Sequence, residues 1–447
     1  MTLETVDIVL IFVYFVVLLG VGYFTSRKQN HEDFLIAERK LGMWKTMTTI
    51  NASKFGSIFM SFVAMTYLFG FAAVWYFIGV VTGFIIFVPF AIKLKKKSEH
   101  RYYTLADYFK YNYGKGAGMF ASAVSIILMY GLAVMALIAG TKIFVFFTGW
   151  SFFVCAIIII TIVLVYLALG GFRAVAKTDF IQYIAMILIL VFLVVILFKG
   201  SIVPSNEWDL FSTDLFSVIG FFVVGILFPF ASPELWQRIY SSKGGRELKR
   251  GLILSIVFYA MMAFLLTLLA LTVKSNFPGV EPDIALIYGF GNLLPVGLVG
   301  LASVLLFSAI MSSLDTFIYT GTSSVVQDFF NLDKEKIVKN IKIVLVLATI
   351  SIFLISILIK SLIVSTYLFV AFYAVLAVPV LATWIRKKIK QETLIFGFFV
   401  GFFGTISFLI ISLVGEGVTP VVAGYAIASV LVGFGIGAIV SYFKYKK

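Results

Sequence analysis

A lysine, an asparagine and three serines interrupt a long apolar stretch near the start of the chain. Residues 48–61 read TTINASKFGSIFMS, with Asn51, Ser53, Lys54 and Ser57 between apolar flanks. A lysine at bilayer depth costs roughly 2.5–3.5 kcal/mol on insertion scales, so its presence there calls for a reason. Two interpretations are open. The stretch is either a discontinuous helix that lines a binding site, or a continuous, tightly packed helix whose lysine reaches an interface.

A second interruption lies in the middle of the chain. Residues 225–233 read GILFPFASP and place two prolines and small residues inside another apolar stretch. Proline removes a backbone donor and clashes with the preceding turn, so this stretch is either kinked or broken. Interrupted spans at corresponding positions of two halves are typical of inverted-repeat transporters, which bind solute and ion at the interruptions.

The composition predicts the elements that position these residues. Of 447 residues, 62% are hydrophobic and 13% are charged, which is typical of an all-α integral membrane protein. We predict about thirteen transmembrane helices, the second over 43–73 and the seventh over 215–236. The predicted organisation is listed by residue range: 1–42, a peripheral helix and loop; 43–198, the first repeat; 199–390, the second repeat; 391–447, two peripheral helices.

The charged and sulfur-containing residues exclude several classes of protein. The chain has one cysteine and two histidines, so a disulfide framework and a cysteine or histidine metal centre are not expected. The net charge of +14 arises from Lys and Arg between the predicted spans, mostly on one side. By the positive-inside rule this side is cytoplasmic, which predicts a multi-pass plasma-membrane protein with an external N-terminus and a cytoplasmic C-terminus. The charge therefore indicates contact with the lipid bilayer, and no nucleic acid partner or enzymatic activity is expected.

Four segments resemble one family of transporters. Residues 170–182 read GGFRAVAKTDFIQ, residues 308–313 read SAIMSS, residues 233–238 read PELWQR and residues 33–39 read DFLIAER. Together they closely resemble the sodium/solute symporter family, which includes the sodium/glucose and sodium/proline transporters. The resemblance covers nearly the whole chain. It implies a LeuT-type fold, with a 5+5 inverted repeat and discontinuous second and seventh spans.

The resemblance also implies an ion site between the second and ninth spans. Its implied sodium ligands are the carbonyl groups of Ala52, Phe55 and Ala309 and the hydroxyl groups of Ser312 and Ser313.

Three charged residues extend this expectation. Asp179 matches a carboxylate that supports a second sodium in some relatives, or it is a helix N-terminal charge at the membrane edge. Lys54 and Asp315 lie on the two helices that should face each other, which predicts that they form a buried pair. An ammonium group at this place can replace the cation, so the coupling ion stays open between Na⁺, H⁺ and none. No other cofactor is expected.

The solute is expected near the midplane, between the second, fourth, seventh and eleventh spans. The candidate lining residues are Asn51, Ser57, Ser61, Tyr130, Ala231, Ser232, Tyr367 and Tyr373. Few of these groups suit the many hydroxyls of a sugar, and amide groups at a helix break favour a carboxylate. The expected function is therefore secondary active transport of an amino acid or organic anion by alternating access. The alternative is a transporter-like receptor that acts with a separate signalling partner.

Overall fold

Helices account for almost all of the chain that the structure describes. The computed structural model describes residues 5–26, 31–98, 101–200, 203–295, 297–330, 334–386, 389–414 and 422–445. Within these ranges no β-strand occurs beyond one isolated bridge between Leu41 and Ser242. In chain order the α-helices are α1 Thr5–Ser26, α2 His31–Ile36, α3 Met43–Phe69, α4 Val74–Ser98, α5 Leu105–Tyr113, α6 Lys115–Thr148, α7 Phe152–Gly200, α8 Leu215–Leu227, α9 Pro233–Ser241, α10 Gly245–Asn276, α11 Ala285–Leu293, α12 Val299–Phe329, α13 Lys334–Ile359, α14 Leu362–Val370, α15 Phe372–Ile385, α16 Gln391–Val414 and α17 Val422–Tyr445.

The helices have the length and composition of membrane spans. Ten helical stretches of the described residues are long and apolar enough to cross a membrane. Two of them, Ile58–Ser98 and Phe152–Leu197, each include parts of two predicted spans, and the seventh predicted span begins with the short apolar helix Leu215–Leu227. The all-α membrane class is therefore confirmed, whereas the predicted count of thirteen transmembrane helices is not confirmed.

Burial divides the bundle into a centre and a periphery. The apolar window of α12 is 89% buried, whereas that of α1 is 22% buried. Many large apolar side chains point outward, such as Phe12, Leu358 and Ile411, and they match a lipid-facing surface. The helix that carries the predicted ion ligands Ser312 and Ser313 is thus the central one.

The second predicted span is a continuous helix, and the prediction that it is discontinuous was wrong. α3 runs without interruption from Met43 to Phe69. Its serines do not open the helix, because Ser53 and Ser61 donate hydrogen bonds to carbonyls three residues earlier in the same helix. Gly56 instead allows α3 to pack closely against α12. A Cβ atom there would lie 1.6 Å from the carbonyl oxygen of Ala309 on α12.

The break in the seventh predicted span is confirmed. α8 ends at Leu227 and α9 begins at Pro233, with residues 228–232 between them. The amide of Phe230 donates to the Leu227 carbonyl at 3.1 Å, which tightens the chain into a turn before the proline. A further kink divides α7, where Gly171 has φ 51° and ψ −153°, a conformation that favours glycine. The inverted relation between residues 43–198 and 199–390 stays a prediction.

Candidate functional site

The predicted ion ligands meet where α3 crosses α12. The Ser312 hydroxyl donates to the Ala52 carbonyl at 3.0 Å and to the Ala309 carbonyl at 2.8 Å, and the Ser313 hydroxyl donates to the Ser53 carbonyl at 2.8 Å. All of these groups are fully buried. A helical carbonyl keeps a second lone pair and a hydroxyl group can turn its hydrogen away, so this set of oxygens can hold a small cation. Sodium ligation by these groups stays a prediction.

One predicted ligand has a different environment. Phe55 is fully buried, and its ring stacks at an angle against Tyr259 at 4.6 Å between centroids. Because α3 is continuous, the Phe55 carbonyl lies within the regular helix rather than at an unwound segment. Among the described residues, no hydrogen bond joins the Phe55 carbonyl to α12. Its role as a sodium ligand stays a prediction.

Lys54 pairs with Glu234, and the predicted pair with Asp315 was wrong. The Lys54 ammonium contacts the Glu234 carboxylate directly, and the two side chains are 1% and 0% exposed. The ammonium also lies 3.9 Å from the ring centroid of Phe228, in the broken seventh span. The sequence offered one signal for this partner, since Glu234 is the acid that follows Pro233 at the break.

Asp315 has a different partner. The Tyr166 hydroxyl donates to its Oδ2 atom at 2.7 Å, and both side chains are fully buried. Its Oδ1 atom has no hydrogen-bond partner among the described residues. The reason for the error is the direction of the side chain. Three residues after Ser312, Asp315 faces α7 rather than the lysine on α3.

Asp179 belongs to a buried network around Arg238. Its Oδ2 atom accepts from Arg238 Nη2 at 3.0 Å and from the Thr49 hydroxyl. The same Nη2 atom donates to the Thr316 hydroxyl at 2.8 Å. Asp179 is fully buried within α7 and lies well after the kink at Gly171, so the interpretation as a helix N-terminal charge was wrong. Its support for a second sodium stays a prediction, and its negative charge is already compensated by Arg238.

A cavity lies between α3, α4, α6, α8, α14, α15 and α17. Its volume is about 100 Å³, and three of the predicted solute residues line it: Ser61, Tyr367 and Tyr373. Few other polar groups face it. The full lining is Ile58, Ser61, Phe62, Met65, Ala73, Tyr76, Leu132, Met135, Gly220, Phe221, Val224, Phe228, Thr366, Tyr367, Val370, Ala371, Tyr373, Val422 and Ala423.

Two chemical features characterise the cavity wall. Hydroxyl groups face thioethers: Tyr367 donates to Met65 Sδ at 3.3 Å, and Thr366 donates to Met135 Sδ at 3.2 Å. No charged side chain lines the cavity among the described residues. The cavity therefore suits a small solute with substantial apolar surface.

The other predicted solute residues lie elsewhere. The Asn51 amide donates to the Tyr183 hydroxyl at 3.0 Å and to the Ser255 carbonyl at 3.2 Å, which ties α3 to α7 and α10. The Tyr130 hydroxyl lies 3.4 Å from the Thr322 hydroxyl. Neither residue lines the cavity described above, and their part in solute binding stays a prediction.

Two more predicted residues form part of the break. The Ser232 hydroxyl donates to the Phe228 carbonyl at 2.6 Å, and Ala231 is fully buried beside it. They support the turn between α8 and α9 without lining the cavity. The Ser57 side chain lies outside the described residues. Sequence reasoning missed Tyr76 and Phe228, because an aromatic residue in an apolar stretch gives no local signal of a cavity.

Comparison with known proteins identifies the family of this chain. Residues 34–400 match the model of the sodium:solute symporter family. The chain is 26% identical over 356 residues to sodium/proline symporter 2 of Staphylococcus saprophyticus, covering 72% of this chain and 68% of that one. A sodium/proline symporter of Staphylococcus aureus is also 26% identical, over 355 residues and with the same coverage.

Solved structures share the fold. A Na⁺-coupled sialic acid symporter in a substrate-bound outward-open state aligns with a TM-score of 0.79 and 18% identity, covering 98% of both chains. A nucleobase-cation-symport-1 family transporter in a closed conformation aligns with a TM-score of 0.62 and 13% identity, covering 92% of this chain and 95% of that one. Both are LeuT-fold transporters. Because the family model spans most of the sequence, this chain belongs to the sodium:solute symporter family and is a multi-pass membrane transporter rather than an enzyme.

Proposed function

We propose that this chain carries a small amino acid or organic anion across the plasma membrane by alternating access. The observation that carries the proposal is the cavity beside the broken helix α8–α9, which combines apolar walls with the hydroxyl groups of Ser61, Tyr367 and Tyr373. Three scattered hydroxyls suit a compact solute better than a sugar, whose many hydroxyl groups would each require a partner. The similarity to sodium/proline symporters supports the same substrate class.

We propose further that Na⁺ is the coupling ion and that it binds between α3 and α12. The family is sodium-coupled. The buried hydroxyls of Ser312 and Ser313 and the carbonyls of Ala52 and Ala309 supply the uncharged oxygens that the ion requires. The Lys54 ammonium pairs with Glu234 and not with these oxygens. This position supports sodium, rather than the lysine itself, as the cation that the oxygens bind.

The proposed cycle assigns roles to the two halves of the chain. Residues 43–198 and 199–390 form the two repeats, and the break at residues 228–232 is the hinge closest to the cavity. The excess of Lys and Arg on one side supports a cytoplasmic C-terminus and an external N-terminus. Movement of one repeat against the other would then open the cavity to each side in turn.

Solute flux tests this proposal directly. The purified protein is reconstituted into liposomes, and uptake of radiolabelled L-amino acids and small organic acids is measured. Sodium, potassium and pH gradients are imposed separately. The expected result is uptake of one solute class that requires an inward sodium gradient. Uptake that follows a pH gradient in potassium would favour proton coupling. Binding without flux would instead favour the receptor.

A further inference from the structure

A charge pair lies directly beside a cavity whose wall carries no charge among the described residues. Lys54 on α3 and Glu234 on α9 are 1% and 0% exposed and contact each other. Buried ion pairs of this kind add little net stability, because removing two charges from water costs about as much as their attraction returns. A contribution to stability therefore does not explain why a lysine and a glutamate are buried here.

Phe228 connects the pair to the cavity. Its ring lines the cavity and also lies 3.9 Å from the Lys54 ammonium. On α3, Ile58 and Ser61 also line the cavity, one and two turns after Lys54 on the same face of the helix. The ammonium is thus separated from the cavity by one aromatic ring rather than by a layer of helices.

The glutamate keeps an acceptor atom that no described group uses. Beside it, Tyr76 and Tyr373 line the cavity together with Phe228, and their ring centroids lie 6.3 Å and 5.1 Å from that of Phe228. The Oε2 atom of Glu234 has no hydrogen-bond partner among the described residues. A buried carboxylate oxygen without a donor is costly, so this position can accept a further hydrogen bond from a ligand.

A zwitterion matches this arrangement of charges. If the pair opens, a carboxylate on Lys54 and an ammonium group on Glu234 restore both ion pairs. No charge is then left uncompensated in the interior, which is the costly outcome for a buried pair. An anion without an ammonium group would leave Glu234 unpaired, and a cation without a carboxylate would leave Lys54 unpaired.

We propose that the Lys54–Glu234 pair is the recognition site for the head group of a zwitterionic α-amino acid. Before the solute binds, the two residues contact each other, with the Phe228 ring beside the ammonium. The solute inserts between them, and its side chain occupies the apolar cavity. This inference rests on the proposed function and narrows its substrate class from amino acids or organic anions to zwitterions.

Ligand-induced thermal stabilisation of the purified protein tests the inference. The probes are the L-amino acids, each with its α-amide and its N-acetyl derivative, which lack the carboxylate and the ammonium charge respectively. An amino acid that stabilises the protein is expected to bind about 30-fold or more tighter than either derivative, since truncating one partner of a buried charge pair costs 2–5 kcal/mol. Equal binding of an N-acetyl derivative would overturn the inference and leave the proposed function standing.

Variants separate recognition from folding. Lys54→Met leaves Glu234 buried without a partner, so the double variant Lys54→Met/Glu234→Gln, which is neutral, provides the decisive measurement. It is expected to fold and to lose the preference for the zwitterion. The matched control is Lys274→Met/Glu207→Gln, which removes a Lys–Glu pair of 2.7 Å that lies away from the cavity.

The outcomes distinguish the two levels of the proposal. If the neutral double variant binds the zwitterion as tightly as the unmodified protein does, Lys54 and Glu234 are not the recognition site. If no compound with a carboxylate stabilises the unmodified protein, the proposed substrate class fails and the inference fails with it. Loss of zwitterion binding in the double variant alone, with the control unchanged, supports the inference.

Discussion

Arg238 on α9 and Asp179 on α7 form an ion pair in which both side chains are fully buried, with 3.0 Å between Nη2 and Oδ2. The same guanidinium group binds Thr49 on α3 and Thr316 on α12. One side chain therefore joins the broken seventh span to three helices around the candidate ion site. Because the charges lie far from water, each is tolerated only while the other is present.

The first prediction concerns this pair. Arg238→Met is expected to destabilise the protein by about 3–5 kcal/mol, because it leaves the Asp179 carboxylate without a counter-charge. The double variant Arg238→Met/Asp179→Asn is expected to recover part of the loss. Cys155 is buried and is the one cysteine of the chain, so a thiol-reactive fluorophore reports unfolding in detergent. A double variant no more stable than Arg238→Met would contradict the prediction.

The second prediction concerns the crossing of α3 and α12. Gly56→Ala would place a methyl group 1.6 Å from the Ala309 carbonyl oxygen, so the two helices must move apart. We expect a loss of stability of about 1–3 kcal/mol from overpacking, and loss of sodium binding. Gly20→Ala is the control, since nothing lies within 4 Å of the Cβ position there. The thermal midpoints of the two variants are compared, and equal midpoints would count against this packing.

The third prediction concerns sodium. The unmodified protein is expected to be stabilised by sodium chloride more than by potassium chloride, because a ligand that binds the folded state raises its unfolding midpoint. Ser312→Ala/Ser313→Ala is expected to weaken the sodium response about tenfold or more. Ser303→Ala is the control on the same helix, where the hydroxyl donates to the Val299 carbonyl. An unchanged sodium titration in the double variant would move the ion site elsewhere.

The fourth prediction concerns the cavity. Val224→Phe adds a ring at a residue that lines a space of about 100 Å³, so it should block uptake of the solute. Val223→Phe is the matched control, because the neighbouring residue packs against the core without lining the cavity. Uptake into liposomes and the thermal midpoint are measured for both. If Val224→Phe transports at the unmodified rate, the solute passes by another route.

The fifth prediction concerns pH and a group outside the membrane-spanning helices. Asp107 accepts hydrogen bonds from the backbone amides of Tyr103 at 2.7 Å and Thr104 at 3.1 Å, yet burial raises its pKa. A raised pKa in the folded state means that stability falls as the pH rises through that pKa. Asp107→Asn keeps an acceptor without the charge, so its midpoint at neutral pH should exceed that of the unmodified protein. Parallel pH profiles for the two proteins would contradict this.

Local sequence was sufficient for the class of protein and for the break in its seventh predicted span. The apolar composition, the two prolines at the break and the four family-like segments are properties of neighbouring residues, and each predicted a structural feature that the fold contains. The meeting of Ala52 and Ala309 with Ser312 followed from the resemblance, and these groups lie in one hydrogen-bonded cluster.

The tertiary structure alone decided the partners of the buried charges and the course of α3. Lys54 and Glu234 are 180 positions apart, and their contact depends on the rotation and depth of α3 relative to α9. Helical periodicity gives the face of a residue within its own helix and nothing about the helix that packs on that face. Glu234 compensates the charge of Lys54, and Gly56 lets α12 pack closely against α3. The polar segment therefore stays helical. The sequence therefore determined which residues required partners, and the packing of distant helices determined which partners they received.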